Sequence, residues 1–149
     1  MDKNGFLIDL SESKRTDFGR IAFDVQPEAQ KVFAAIWELE SQVNNGGFEQ
    51  YFRNSESAMI AFAPVALRTI GAASCSAIVE RAIGVVAPLP PTQEGRDAAI
   101  DASGDVGHDR LDSLDLEFFA YPDDLTGLLF DYVSEHPDEF GPVPRSDPA

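Results

Sequence analysis

From Pro27 onward the apolar positions of the chain recur with a helical period. Val32, Ile36, Leu39 and Val43 fall on one face at steps of 4, 3 and 4. Pro27 suits the first turn of that helix, where its missing N–H has no intrahelical partner. Asn45-Gly46-Gly47 predicts a stop, because glycine and asparagine accept the left-handed conformation of a C-terminal cap. Phe48, Tyr51 and Phe52 then predict a short second helix ending near Asn54. Pro64 is read as the opening of a further apolar stretch through Leu67 and Ile70 to Gly71. Ile78, Val79, Ala82, Ile83 and Val86 mark the next helix, closed by the turn Pro88–Pro91.

Beyond that turn the pattern predicts a helix from about Thr92 to Ala102 and a second apolar face on Leu111, Leu114, Phe118 and Phe119. The last helix follows the amphipathic template at Leu125, Leu128, Leu129, Tyr132 and Val133, and His136-Pro137 ends it. Before Pro27 the pattern leaves two alternatives: Phe6–Leu10 and Ile21–Val25 read equally as short strands or as frayed helical turns. The expectation is an all-α fold: a compact single-domain multi-helix bundle over residues 27–140. An irregular or strand-like segment, 1–26, precedes it. A mobile Pro-rich tail, 141–149, follows. Trp37, one step round from Ile36, is placed at or beside the core.

Length and composition fit this picture. The chain has 149 residues, enough for one domain with a real core. Its apolar content of 44%, with eleven Phe, argues against an acidic disordered segment. The longest apolar run, Ala58–Leu67, is half a membrane span and contains Pro64, so no membrane association is expected. The N-terminus shows no charged segment followed by a continuous apolar one, and no secretory signal is read there. A single cysteine, Cys75, excludes an internal disulfide framework, fits a reducing cytoplasm, and reads as a buried inert thiol in the run Ala72–Ile78. His108 and His136 lack cysteine partners and zinc spacing, so neither metal nor cofactor is expected.

Charge changes the picture most. The net charge is -15, of which residues 1–93 carry -3 and residues 94–149 carry -12. Between Glu94 and Glu139 stand fourteen acidic residues and two basic ones, Arg96 and Arg110. Repelling charge concentrated in this way opposes compaction. It also repels nucleic acid and attracts whatever nucleic acid attracts, so direct nucleic-acid binding is not expected.

Asp97, Asp101, Asp105, Asp109, Asp112 and Asp115 are spaced 4, 4, 4, 3 and 3, a helical period. One unbroken helix would place them about 6 Å apart along the axis, at about 0.2–0.5 kcal/mol for each like-charge neighbour. Gly104 and Gly107 would cost about 1 kcal/mol each. A break around Ser103–His108 relieves both penalties and leaves two acidic helices joined by an acidic loop. Asp109 can cap the helix beginning at Arg110, and Asp123 the last helix with Asp124 behind it. The remaining acids, Asp131 and Glu135 among them, form either a solvated coat or a binding surface. A third reading is a calcium loop over 101–112, with oxygens from Asp101, Ser103, Asp105, Asp109 and Asp112. It departs from the EF-hand pattern at Val106, His108 and Asp112. For an enzyme the parts are Asp105, His108 and Asp109, or His136 with Asp131, and no nucleophile, base and orienting group assemble from them.

Glu40-Ser-Gln-Val43-Asn-Asn45-Gly46-Gly47-Phe48-Glu-Gln50-Tyr51-Phe52-Arg-Asn54 resembles the signature of a bacterial family of small acidic helical proteins named for a DNA mimic. Its specific core is NGGF-x-QYF-x-N. The segments Ala66–Ala72 and Leu111–Phe119 resemble the family in the same order, and the resemblance covers roughly residues 27–140. It implies an all-α fold and a homodimer whose carboxylates imitate DNA phosphates and occupy the DNA-binding face of a basic DNA-binding protein such as a transcriptional repressor. The candidate surface comprises Asp97, Asp101, Asp105, Asp109, Asp112, Asp115, Asp123, Asp124, Asp131 and Glu135. The signature residues Asn45, Gly46, Gly47, Phe48, Gln50, Tyr51, Phe52 and Asn54 read as structural. By the same charge logic, an immunity-type inhibitor of a nuclease toxin is the alternative binder.

Overall fold

Val32, Ile36, Leu39 and Val43 are all fully buried, and the helix that carries them is the longest of the protein. The computed structural model describes residues 2–143. In chain order its helices are α1 (Lys3–Ser11), α2 (Glu28–Asn54), α3 (Ser57–Thr69), α4 (Ala73–Val85), α5 (Gln93–Ala102), α6 (Gly104–Phe119), α7 (Leu125–Ser134) and α8 (Pro137–Phe140). There is no strand among the described residues. α2 packs against α3, α5, α6 and α8, α4 covers α3 and α6, and α1 lies on α7. Phe48 anchors the core between Tyr51, Phe52 and Phe118, with ring centroids 6.4, 6.0 and 5.9 Å away. Trp37 lies half-buried beside the core, stacked on Phe33 at 5.5 Å.

Inside α2 the helical path breaks where the sequence places a stop. Gly46 has φ -157° and ψ 21°, and Gly47 has φ 75° and ψ -178°. A residue with a side chain is strained at that positive φ. The second limb, 48–54, then restarts at an angle. Side chains of the signature stitch the two limbs together: Gln50 donates to Gln42 at 2.9 Å, Asn54 to Gln42 at 3.3 Å, and Asn45 to Gln50 at 3.2 Å.

Several expectations are corrected. Of the two alternatives left open for the N-terminal segment the helical one holds: Asp2 caps α1 by accepting from the Gly5 N–H at 2.9 Å, and Phe23–Val25 form a 3-10 turn. This segment is tied to the end of the chain. Arg15 donates to the carbonyls of Phe140 and Pro142, and Gln30 to those of Arg15 and Glu139. Of the expected mobile tail, Val143 packs half-buried against the core, and residues 144–149 lie outside the described ones.

α3 opens at Ser57, not at Pro64. Helix interiors usually exclude proline, but here Ile60, Ala63, Pro64 and Leu67 are buried together and the helix runs through. The break between α5 and α6 is one residue, Ser103, rather than an acidic loop, because Gly104 at φ 66° turns the chain immediately. Asp109 therefore lies inside α6 and caps nothing. Asp124, not Asp123, caps α7 by accepting from the Gly127 N–H at 3.1 Å. Pro137 opens α8 instead of merely ending α7.

Candidate functional site

α6 has two unlike sides. Leu111, Leu114 and Phe118 are buried against the core, while Asp105, Asp109 and Asp112 are exposed on the other side at steps of 4 and 3. The helical rise sets these three carboxylates about 6 and 4.5 Å apart along the axis. None of them forms an ion pair among the described residues. The row continues into Leu116 and Phe119, which are 71% and 44% exposed.

Two of the cations near the row are engaged elsewhere, while Arg110 makes no ion pair among the described residues. Arg53, at the end of α2, takes Glu49 at 3.1 Å, Asp97 at 3.3 Å and Asp101 at 3.0 Å. Two of the six stripe carboxylates are thus held by one guanidinium. Burial pushes the Glu49 carboxyl up, but hydrogen bonds from Arg53 and His108 outweigh it and hold it below its ordinary value. Arg81 clamps Glu117 with two bonds, at 2.9 and 3.0 Å.

Other candidate acids serve the fold. Asp115 accepts from the Phe48 N–H at 2.8 Å, so it caps the second limb of α2 from across the core boundary. Burial raises its pKa, partly offset by that N–H. Asp123 accepts from the Cys75 N–H at 2.8 Å and caps α4. Asp131 on α7 and Glu135 just past its end are exposed and unpaired among the described residues. The structure therefore brings Asp105, Asp109 and Asp112 together and sets Asp97, Asp101, Asp115, Asp123 and Asp124 apart from them in role. Arg53, Glu49 and Gln42 were missed in the sequence. For Asp115 a signal existed: it stands four residues after Leu111 and three before Phe118, the spacing of the inward face.

Two alternative chemistries lose their geometry. Residues 101–112 are helical except at Ser103, so their oxygens follow helix surfaces and do not converge as a calcium loop requires. His108 faces Glu49 at 3.0 Å rather than Asp105 or Asp109. His136 donates from Nδ1 to the Tyr132 carbonyl at 2.7 Å rather than pairing with Asp131. Burial pushes the Cys75 thiol up to about 12, which keeps it un-ionised at neutral pH. No helix among the described residues is long and apolar enough to cross a membrane.

Fold and surface define a small, acidic, all-helical protein whose distinctive chemistry is a display of carboxylates. Residues 25–136 match the family model described as DMP19-like protein, well over half of the chain. The protein belongs to that family, which is one of DNA mimics rather than of enzymes. No curated protein and no solved structure matches it.

Proposed function

We propose that the α6 row, Asp105, Asp109 and Asp112, is the centre of a DNA-mimic surface that occupies the DNA-binding face of a basic protein such as a transcriptional repressor. One observation carries this reading: these three carboxylates are exposed and unneutralised, while Asp97 and Asp101 beside them are held by Arg53. A DNA strand presents one charge per roughly 3.4 Å of axis. A carboxylate every roughly 4.5–6 Å of helix is of the same order. Lysines and arginines set to neutralise phosphates thus meet acceptors at workable spacing. Leu116 and Phe119 add the apolar contact that a protein partner uses and free DNA lacks. Asp131 and Glu135 extend the acidic surface, and the proposal includes the homodimer that the resemblance implies.

The test is a titration of the partner recovered by affinity capture, in competition with its DNA. Changing Asp105, Asp109 and Asp112 to Asn lowers affinity by about 0.2–1 kcal/mol per lost pair and flattens the salt dependence between about 50 and 200 mM. Changing Asp97 and Asp101 to Asn has the smaller effect, since Arg53 already screens them. Equal affinity for wild type and the row variant would reduce the row to a solubility coat. Sedimentation as a monomer at working concentrations would remove the dimer from the proposal.

A further inference from the structure

On the flank of α6 beside the row, a groove of about 630 Å³ runs between α4 and α6. That volume lies in the range of small-molecule sites, which is about 300–1,000 Å³. Gly84 and Val85 contribute from α4, and Val106, Arg110 and Leu114 from α6, with Arg81 and Asp109 at the edges. Leu114 is buried and gives an apolar floor, and Val106 is 71% exposed.

Two features of this groove bear on what it can hold. Gly84 sits in the last turn of α4 and lines the groove. A Cβ placed there would meet nothing within 4 Å. No neighbour forbids a side chain, and filling the position would take volume from the groove. Arg110 is one of only two bases in the acidic stretch, yet it makes no ion pair or side-chain hydrogen bond among the described residues. Helical geometry explains why: its neighbours three and four residues away are Val106, Gly107, Ser113 and Leu114, none of them acidic. Arg81 stands on the facing wall, with its guanidinium fixed by Glu117. Glu117 already neutralises Arg81, so among the described residues Arg110 is the lining cation left to meet an anion, with Asp109 at the groove's edge.

We propose that the α4–α6 groove binds a small amphipathic anion. Its apolar body lies on Val85, Val106 and Leu114 over the space left by Gly84, and its carboxylate or sulfonate meets the Arg110 guanidinium. Charge complementarity selects the head group, and the open floor selects a body of one or two fused rings.

The probe is 1-naphthoate, with uncharged 1-naphthalenemethanol as control, titrated into the full-length ¹⁵N-labelled protein. Saturable amide shifts are expected at residues 84, 85, 106, 110 and 114, with naphthoate binding about tenfold tighter than the alcohol. Gly84→Leu fills the groove with a better helix former and abolishes saturation; its unliganded spectrum and melting temperature show that it is folded. Arg110→Gln removes the preference for naphthoate over the alcohol and leaves weak binding of both. Absence of saturable shifts up to about 5 mM, shifts centred elsewhere, or binding unchanged in Gly84→Leu would overturn the site. Equal binding of naphthoate and the alcohol to wild type would overturn the anionic head group.

Discussion

Single residues three positions apart on one helix do opposite work here. Asp112 is exposed in the row, whereas Asp115 satisfies the Phe48 N–H at the kink and fills the space beside Gly47. Asp115→Ala leaves a part-buried N–H unpaired, at about 1–3 kcal/mol. Asp112→Ala stays within about 0.5 kcal/mol of wild type. Urea melts of the two variants measure the difference, and equal midpoints would refute the capping role. Glu40 gives a pH prediction. Burial pushes its carboxyl from 4.5 up to about 7, against a hydrogen bond from Tyr121. The folded state therefore holds a proton that the unfolded state has released between those values. Its contribution to stability is full below about 4.5 and is lost as pH rises through about 7. Glu40→Gln removes this loss. Relative to wild type it gains stability between about pH 5 and pH 8, which paired thermal melts followed by Trp37 fluorescence will show. A constant difference across that range would contradict the assignment. The burial of Glu40 was not legible beforehand, because in the sequence it stands only as the first residue of the family-like segment Glu40–Asn54.

At the scale of elements, the pattern predicted which faces are buried and where α2 and α5 begin, but not the starts of α3 and α6. The inner stripes of α2 and α7, that of α6 apart from the exposed Phe119, and the break at Gly46-Gly47 could be read directly, since each is a local consequence of side-chain spacing or backbone freedom. Pro64 was misread because local rules put proline at helix starts, while burial of its neighbours carries α3 through it. Asp123 was misassigned because its partner, the Cys75 N–H, is remote in sequence. The two bases of the acidic stretch show the same limit. Arg96 is 5% exposed and donates from Nε to the Phe52 carbonyl at 2.7 Å and from Nη1 to Ser57. It thereby joins α5 to the end of α2 and the start of α3. Arg110, on the next helix, is exposed and makes no such bonds. Arg96→Met should cost at least about 2 kcal/mol by stranding the carbonyl, and Arg110→Met no more than about 0.5 kcal/mol. Comparable denaturation midpoints for the two would show that the α5 junction does not depend on this arginine.

For the whole molecule, the charge asymmetry was visible in the sequence, but its division into held and free carboxylates was not. That division depends on where Arg53 and Arg81 reach, and therefore on how the helices pack. Free carboxylates kept for a partner should carry a measurable cost in stability. Asp109 and Asp112 sit in helical register with Asp105 and Asp115, so replacing both by Asn removes three like-charge neighbours, worth about 0.2–0.5 kcal/mol each. Asp105 is better left in place, because the N-terminus of α6 favours its charge by about 0.3–1 kcal/mol. Asn and Asp have similar helix propensity, so the double variant isolates the repulsion. Its melting temperature should exceed that of wild type by a few degrees at low ionic strength, since about 1 kcal/mol corresponds to roughly 2–4 °C in a domain of this size. The gain should shrink in about 1 M salt, where screening acts over roughly 3 Å. Calorimetry of wild type and variant at both ionic strengths provides the measurement. A variant no more stable than wild type at low salt, or a gain that salt leaves unchanged, would mean that the row carries no electrostatic strain. The exposed carboxylates of α6 would then cost the fold nothing, and the case that a partner requires them would lose its thermodynamic support.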